Sequence, residues 1–303
     1  MNSKNTLIQT LLKIEGAYAH ATIRAYRADF LKFIAFCESR NEDSLPAKGN
    51  SVCAFINQLI KDGLRSASIT RAIAGIASIH ILNEMPDPTK ENCVRLEMRR
   101  MYRQLGRYKK QVAGLNRFLL DKMLSKLGSN LHDIRDRALL LVAYDTLCRR
   151  SEVVDLRAED IWRHKRDYRS DQITNTILLR KSKTDQERHG HWVQISDETL
   201  IAIDLWLAAA NIHEGYIFRG ITRTKTLTDK LDPGNIGRIY KRLAKRARLD
   251  KAVISSISGH STRIGAAQDL LLSGNSLPLL MHRGRWTKPE TVMRYVENIS
   301  APL

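Results

Sequence analysis

Four stretches in the first 105 residues place apolar side chains at every third or fourth position, which puts them on one face of an α-helix. These stretches are residues 23–37, 52–60, 69–82 and 94–105. Thr22 is predicted to cap the first helix, and Asn50 or Ser51 the second. Gly63 suits the position just after the end of the second helix. Helices with one apolar face bury it against each other, so this part of the chain is predicted to form a helical bundle.

The remainder of the chain mixes helix and strand patterns. Helices are predicted at residues 118–127, 133–147, 151–156 and 236–247. Residues 174–180 and 192–195 are β-branched or alternating, and the polar stretch between them predicts a hairpin. The pattern changes at residues 111–116, around Gly114. We therefore predict a mostly α fold with two domains: a helical bundle at residues 1–110 and an α+β domain with a small β-sheet at residues 111–303.

The chain is strongly basic, with 50 Lys and Arg against 32 Asp and Glu and a formal charge of +18, which favours a polyanionic partner. One basic cluster contains Arg99, Arg100, Arg103, Arg107 and Lys109. A second, on one face of the predicted helix 236–247, contains Arg238, Lys241, Arg242, Lys245 and Arg246. Such clusters also occur on solvated surfaces and on helices that lie on membranes. Because the apolar face of the predicted helix 236–247 lacks Trp and Phe anchors, we predict that both clusters bind DNA.

Several classes of protein are excluded by what the sequence lacks. The longest apolar run, residues 138–144, falls far short of the about 20 residues that cross a bilayer. The first 20 residues lack the apolar segment and cleavage site of a signal peptide, so a cytoplasmic protein is expected. The spacing of the cysteines suits neither a zinc site nor a redox motif, so reduced thiols are expected at Cys37, Cys53, Cys93 and Cys148.

A scattered set of residues could carry chemistry. His260 and Arg263 are one helical turn apart at the start of a predicted helix, where both could reach one anion. Tyr295 follows 32 residues after Arg263, with Trp286 between them. Arg149 lies upstream, at the junction of two predicted helices. Taken singly, the His–Arg pair reads as a surface pair and the tyrosine as a half-buried helix residue, so only their joint occurrence in this order indicates a site.

The order and spacing of these residues resemble those of the tyrosine site-specific recombinases, also called the phage integrase family, and among them the Cre-like members. The segment GHSTRIGAAQDLLLSGNSLPLLMHRGRWTKPETVMRY carries the His-x-x-Arg, Trp and Tyr elements, and YDTLCRRSEV carries the first Arg box. The resemblance covers nearly the whole chain. It implies a helical, SAM-like core-binding domain followed by a mixed catalytic domain, the order predicted above.

The resemblance also implies a role for each matching residue. Tyr295 would be the nucleophile, Arg149 and Arg263 would bind the phosphate, and His260, Trp286 and Glu152 would complete the site. Lys183 would be the lysine of the β-hairpin, with Lys181 as the less favoured alternative. Arg285 departs from the pattern, because Cre-like enzymes have glycine there.

These roles agree with the chemistry of the side chains. Guanidinium groups bind a phosphodiester in a bidentate way and stabilise the charge that in-line attack builds on it. A tyrosine hydroxyl, with an ordinary pKa of about 10, is a weak nucleophile that needs a cationic surround and a proton acceptor such as His260. The leaving 5′ oxygen needs a proton donor, for which Lys183 is suited. The scheme calls for neither a metal nor another cofactor.

The implied reaction is site-specific recombination through a 3′-phosphotyrosyl link and a Holliday junction, without ATP. The implied assembly is a homo-tetramer on two duplex DNA sites, each with an inverted repeat. Two alternatives remain open from sequence: a type IB topoisomerase, which shares the chemistry but relaxes supercoils, and a DNA-binding regulator that never cuts.

Overall fold

The structure is a computed structural model that describes residues 3–107, 112–166, 173–180 and 190–296. The chain divides into two compact units, residues 1–110 and 111–303. Lys109, Lys181 and Lys183 lie outside the described residues. No helix within the described ranges is long and apolar enough to cross a membrane.

The first unit is helical throughout its described part. Its helices are α1 (Ser3–Lys13), α2 (His20–Ser39), α3 (Gly49–Lys61), α4 (Ser66–Leu82) and α5 (Asn92–Leu105). The apolar faces predicted from sequence meet in one core, where Phe30, Phe33, Ile56, Ile69 and Ile76 are fully buried. The predicted bundle is confirmed. Helix α1, whose Leu7 and Leu11 join this core, was not predicted.

The predicted helix caps of this unit are wrong, and the hydrogen bonds show why. Helix α2 begins at His20, because the N–H of Thr22 already donates to the carbonyl of Ala19 at 2.8 Å. Helix α3 begins at Gly49, whose N–H donates to Glu91 Oε1 at 2.8 Å. A side chain 42 residues away thus accepts from one of the four N–H groups that the start of a helix leaves without an internal partner. Gly63 does follow α3, with a φ of +74°.

The second unit combines a small sheet with helices. Its elements are α6 (Arg117–Leu124), α7 (Leu131–Asp145), α8 (Arg150–Asp155), β1 (Ile161–Arg166), β2 (Ile173–Leu179), β3 (His191–Ile195), α9 (Asp197–Ala209), α10 (Pro233–Arg246), α11 (Lys251–Ser256), α12 (Ser261–Leu272), α13 (Leu277–Gly284) and α14 (Pro289–Val296). The three strands are antiparallel in the order β1-β2-β3. The mostly α fold with a small β-sheet is therefore confirmed, although β1 was not predicted.

Two hydrophobic clusters organise this unit. The larger surrounds α7, whose residues Ala138–Ala143 are at most 1% exposed, and includes the fully buried Trp206. The smaller joins α12, α13 and α14 to the turn after α7, through Leu147, Ala267, Leu280, Trp286 and Val292. This second cluster fixes the last three helices relative to that turn and so positions the candidate site.

Candidate active site

Arg149 lies on a tight turn between α7 and α8. Leu147 adopts the left-handed conformation, with a φ of +49°, which reverses the chain immediately after α7. Arg149 is then the N-cap residue of α8, and its N–H donates to Glu152 Oε2 at 2.9 Å. Its guanidinium Nη1 donates to Glu152 Oε1 at 2.7 Å. Backbone and side chain of Arg149 are thus held by one carboxylate, and 18% of the side chain remains exposed.

Glu152 is the buried centre of this arrangement, with 4% of its side chain exposed. It also accepts a hydrogen bond of 3.2 Å from Nη2 of Arg285. Burial alone would raise the pKa of Glu152, but the hydrogen bonds from Arg149 and the charge of Arg285 outweigh it and hold the pKa below its usual value. Glu152 is therefore a carboxylate at neutral pH, and it carries the charge that orients Arg149.

Arg263 projects from the first turn of α12 and is only 1% exposed. Its Nη1 donates to the carbonyl of Leu147 and its Nη2 to the carbonyl of Gly284. Burial and the positive charges of Arg149 and Arg285 lower the pKa of Arg263 to about 10, so it is still a cation at neutral pH. Two of its five N–H donors are used in these bonds, and its buried Nε has no partner among the residues that the structure describes. The guanidinium is fixed and has donors to spare.

His260 immediately precedes α12, so it shares this end of the helix with Arg263. The backbone N–H of His260 donates to Ser258 Oγ at 3.1 Å. Partial desolvation of its ring, and then the positive charges of Arg263, Arg150 and Arg149, lower the pKa of His260 below its usual value. A neutral imidazole at neutral pH can accept a proton, as the predicted role requires.

Trp286 and Tyr295 lie in contact. Their ring centroids are 5.4 Å apart, and the guanidinium carbon of Arg263 lies 4.4 Å from the centroid of the Trp286 ring. Gln268 of α12 donates to the carbonyl of Tyr295 at 3.1 Å, which ties α14 to α12. The predicted nucleophile thus shares a neighbour with the predicted phosphate-binding arginine.

Glycine at position 284 makes the position of Trp286 possible. A Cβ atom there would lie 2.0 Å from Cζ3 of the Trp286 ring, far inside van der Waals contact. The neighbouring Arg285 is left-handed, with a φ of +55°, and its N–H closes the end of α13. Neither feature was predicted from the sequence. The signal available was the glycine two residues before Trp286, since glycine is favoured where another group approaches the backbone closely.

The structure brings together most of the predicted catalytic residues. Around the Leu147 turn and the three C-terminal helices it collects Arg149, Glu152, His260, Arg263, Trp286 and Tyr295. Lys183 is outside the described residues. Arg285, to which sequence gave no role, is part of the same cluster.

Models of two known domain families match the chain. The model of the phage integrase family matches residues 113–301, and the model of the phage integrase N-terminal SAM-like domain matches residues 9–81. The chain belongs to the phage integrase family. The predicted site-specific recombinase is thereby confirmed, as is its class of enzyme, and neither the topoisomerase nor the non-cleaving regulator is favoured.

Individual relatives of this recombinase match over almost its whole length. It is 26% identical to an integrase/recombinase xerD homolog of Selenomonas ruminantium, over 98% of this chain and 87% of the relative. It is 27% identical to the recombinase cre of Escherichia phage P1, over 97% of this chain and 89% of that protein. A lambda integrase dimer bound to a COC′ core site shares the fold, with a TM-score of 0.66 at 14% identity over 99% of this chain and 78% of that one. XerH bound to a palindromic difH substrate has a TM-score of 0.66 at 17% identity, over 91% of this chain and 76% of the XerH chain.

The basic cluster of the recombinase's first unit is exposed on and just after α5. Arg99 and Arg103 lie in solvent beside Tyr102, and the guanidinium carbon of Arg107 lies 4.3 Å from the centroid of the Tyr102 ring. Arg100 pairs with Glu97 at 2.7 Å, while 72% of its side chain stays exposed. Lys109 is not among the described residues. This surface keeps most of its positive charge available to a polyanion.

The basic face of α10 is partly occupied by acidic partners. Arg242 pairs with Asp136, and Arg246 with Asp133 at 2.7 Å, and both aspartates are buried residues of α7. Lys241 donates to the carbonyl of Ser255 at 3.1 Å. Arg238 donates to Asn235 Oδ1 at 3.0 Å, and Lys245 is exposed. Arg242 and Arg246 thus hold α10 on α7, a structural role that sequence did not reveal.

Proposed function

We propose that Tyr295 attacks a phosphodiester of duplex DNA while Arg149 and Arg263 bind the phosphate. One observation carries the assignment: Arg263 contacts the ring of Trp286, which in turn contacts Tyr295, and the carbonyl of Leu147 fixes the same guanidinium. The exposed part of Arg149 suits an incoming phosphate, and the neighbouring positive charge of Arg263 adds to the attraction for an anion. The charges of Arg149 and Arg263 together exceed the single charge of Glu152, so the site favours an anion.

The proposed step forms a bond between Tyr295 Oη and phosphorus and breaks the bond from phosphorus to the 5′ oxygen. His260 accepts the proton from the tyrosine hydroxyl. The leaving 5′ oxygen takes a proton from Lys183, which is the proposed donor on the β2–β3 connection, with Lys181 as the alternative. The 3′-phosphotyrosyl product keeps a phosphodiester bond, so a 5′ hydroxyl from a second duplex can reverse the step. Exchange of strands then needs no ATP.

The proposed substrate is duplex DNA whose recombination site contains an inverted repeat. The exposed arginines of α5, together with Lys109, and the basic face of α10 supply the contacts with phosphates. Arg238, Lys241 and Lys245 are the principal contacts on α10, because Arg242 and Arg246 are paired with aspartates. The assembly proposed is a Cre-like homo-tetramer on two sites, passing through a Holliday junction in the cytoplasm. The structures of a lambda integrase dimer on a core site and of XerH on a difH site support duplex DNA as the substrate.

A binding site can be selected without knowledge of the natural one. Immobilised Tyr295→Phe protein enriches duplexes from a random pool of about 40 base pairs, enough for two half-sites and a spacer. The enriched duplex is then nicked near its centre, so that a short fragment diffuses away after cleavage and the covalent complex accumulates. We refer to this DNA as the nicked duplex.

The parent protein is expected to form an adduct with the nicked duplex that survives denaturation, and Tyr295→Phe is expected to form none at equal DNA occupancy. Binding by the parent without an adduct would instead support the regulator. Efficient relaxation of a supercoiled plasmid that lacks the enriched sequence would support the topoisomerase. Exchange of arms between two intact duplexes that carry the sequence would complete the case for recombination.

A further inference from the structure

Arg285 occupies a position that is costly for an arginine. It is 8% exposed, so its charge is largely removed from water. Its backbone has a φ of +55°, in the left-handed region that favours glycine. Both costs must be offset by interactions that the guanidinium makes.

Those interactions cross from the end of α13 to the turn that carries Arg149. Nη1 of Arg285 donates to the carbonyl of Thr146 at 3.2 Å and to that of Arg283 at 3.2 Å. Nη2 donates to the carbonyl of Leu147 at 3.4 Å and to Glu152 Oε2 at 3.2 Å, and it lies 3.6 Å from the sulfur of Cys148. One side chain therefore connects α13 to four residues of the α7–α8 junction: Thr146, Leu147, Cys148 and Glu152.

Two of these partners also hold the phosphate-binding arginines. Glu152, whose Oε2 accepts from Arg285, binds Arg149 through its other oxygen at 2.7 Å. The carbonyl of Leu147, which accepts from Arg285, also accepts from Arg263. Moving Arg285 would release both the carboxylate that orients Arg149 and the carbonyl that orients Arg263.

We infer that Arg285 is a positioning residue for strand cleavage, acting through Glu152 and Leu147 on the two arginines that bind the phosphate. The inference rests on the proposed function. The role assigned to Arg285 is indirect, because its partners Glu152 and the carbonyl of Leu147 are the groups that it shares with Arg149 and Arg263. Its effect is on geometry, where a displacement of about 1 Å can cost a hundredfold in rate.

The first test compares variants on the nicked duplex in a single turnover. Arg285→Gly removes the guanidinium and relieves the left-handed backbone, so it is expected to fold. Arg285→Met and Arg285→Lys have side chains of similar length but differ in charge. The control is Arg283→Met, which removes an arginine charge two residues earlier, where the side chain is only partly buried. Melting temperature and DNA affinity are measured beside the rate of adduct formation.

Arg285→Gly and Arg285→Met are expected to bind DNA within about threefold of the parent and to cleave it about tenfold to a hundredfold more slowly. Arg285→Lys is expected to recover part of the rate, because an ammonium can still pair with Glu152. Arg283→Met is expected to cleave like the parent. A parental rate for the glycine variant would overturn the inference, and so would a lysine variant no faster than the methionine variant.

The second test asks whether Arg285 acts through Glu152. If it does, the rate of the double variant Arg285→Met with Glu152→Gln is close to that of the slower single variant. Losses that multiply would show that Arg285 acts independently of Glu152, and would overturn the inference. Absence of an adduct with the parent protein would refute the proposed function itself, a result distinct from parental cleavage by the Arg285 variants.

Discussion

The ring of Tyr295 lies 5.4 Å, centroid to centroid, from the ring of Trp286, with 39° between the two planes. Trp286 is 6% exposed, and the guanidinium carbon of Arg263 lies over its ring, 4.4 Å from the centroid. One indole therefore sets the position of α14, which carries the proposed nucleophile, relative to Arg263, which we propose binds the phosphate. Cation–π contact and aromatic packing both favour an aromatic residue here.

Replacing Trp286 tests this coupling. Trp286→Ala leaves a cavity in the cluster formed by α12, α13 and α14, and is expected to lower the free energy of unfolding by about 3 kcal/mol or more. Adduct formation on the nicked duplex should be lost, whereas Trp286→Phe should retain part of it. Trp162→Ala, at a position 55% exposed on β1, is the control and should cost much less stability. Equal losses of stability for the two alanine variants would contradict the account.

Gly284 is predicted to tolerate no side chain. The Cβ of Gly284→Ala would meet the buried Trp286 ring at 2.0 Å, so the ring or the end of α13 must move. The variant should melt at a lower temperature and cleave the nicked duplex more slowly. Gly75→Ala in α4, whose nearest contact would be an ordinary 3.5 Å to Tyr26, should gain roughly 0.5–1 kcal/mol. Unchanged melting and cleavage for Gly284→Ala would show that the close contact is not a constraint.

The sequence could predict what depends on local spacing. Helical periodicity located the bundle, and the interval between His260 and Arg263 placed both at the start of one helix. The order of Arg149, Arg263 and Tyr295 indicated the family, and the fold of that family brings these residues together.

The sequence could not predict pairings between distant residues. Arg285 and Glu152 are 133 positions apart, and Arg246 and Asp133 are 113 apart. A basic face on α10 has the same sequence pattern whether it meets solvent, DNA or buried aspartates, so its acidic partners on α7 were invisible. The left-handed turn at Leu147 was missed for a related reason, since tertiary contacts stabilise it without glycine.

Neighbouring cations on α10 should separate DNA binding from stability. Lys245 is exposed, so Lys245→Ala should weaken DNA binding and reduce the slope of log affinity against log salt by about 1, with no change in melting temperature. Arg246 pairs with the buried Asp133, so Arg246→Ala should lower the melting temperature. Fluorescence anisotropy at several salt concentrations and thermal melts supply the two measurements. A stable Arg246→Ala protein with the larger loss of affinity would reverse the assignment.

The protonation state of His260 gives a pH test. Desolvation and nearby positive charges lower its pKa, so the ring is neutral at pH 7 and accepts a proton only above that lowered pKa. Nuclear magnetic resonance of the free protein should give a midpoint below 6.5, the ordinary value. Arg150→Met removes one of the positive charges and should move the midpoint upward. A midpoint above 6.5 in the parent, or one that Arg150→Met leaves unchanged, would contradict the account.

The most direct measurement identifies the atom that becomes linked to DNA. The adduct formed on the nicked duplex is digested with nuclease and trypsin, and the peptides are weighed by mass spectrometry. Because Arg294 precedes Tyr295, we predict a nucleotide 3′-phosphate on the tryptic peptide that begins at Tyr295, and a free 5′ hydroxyl on the released strand. A nucleotide on any other tyrosine, or a 5′-phosphate linkage, would contradict it.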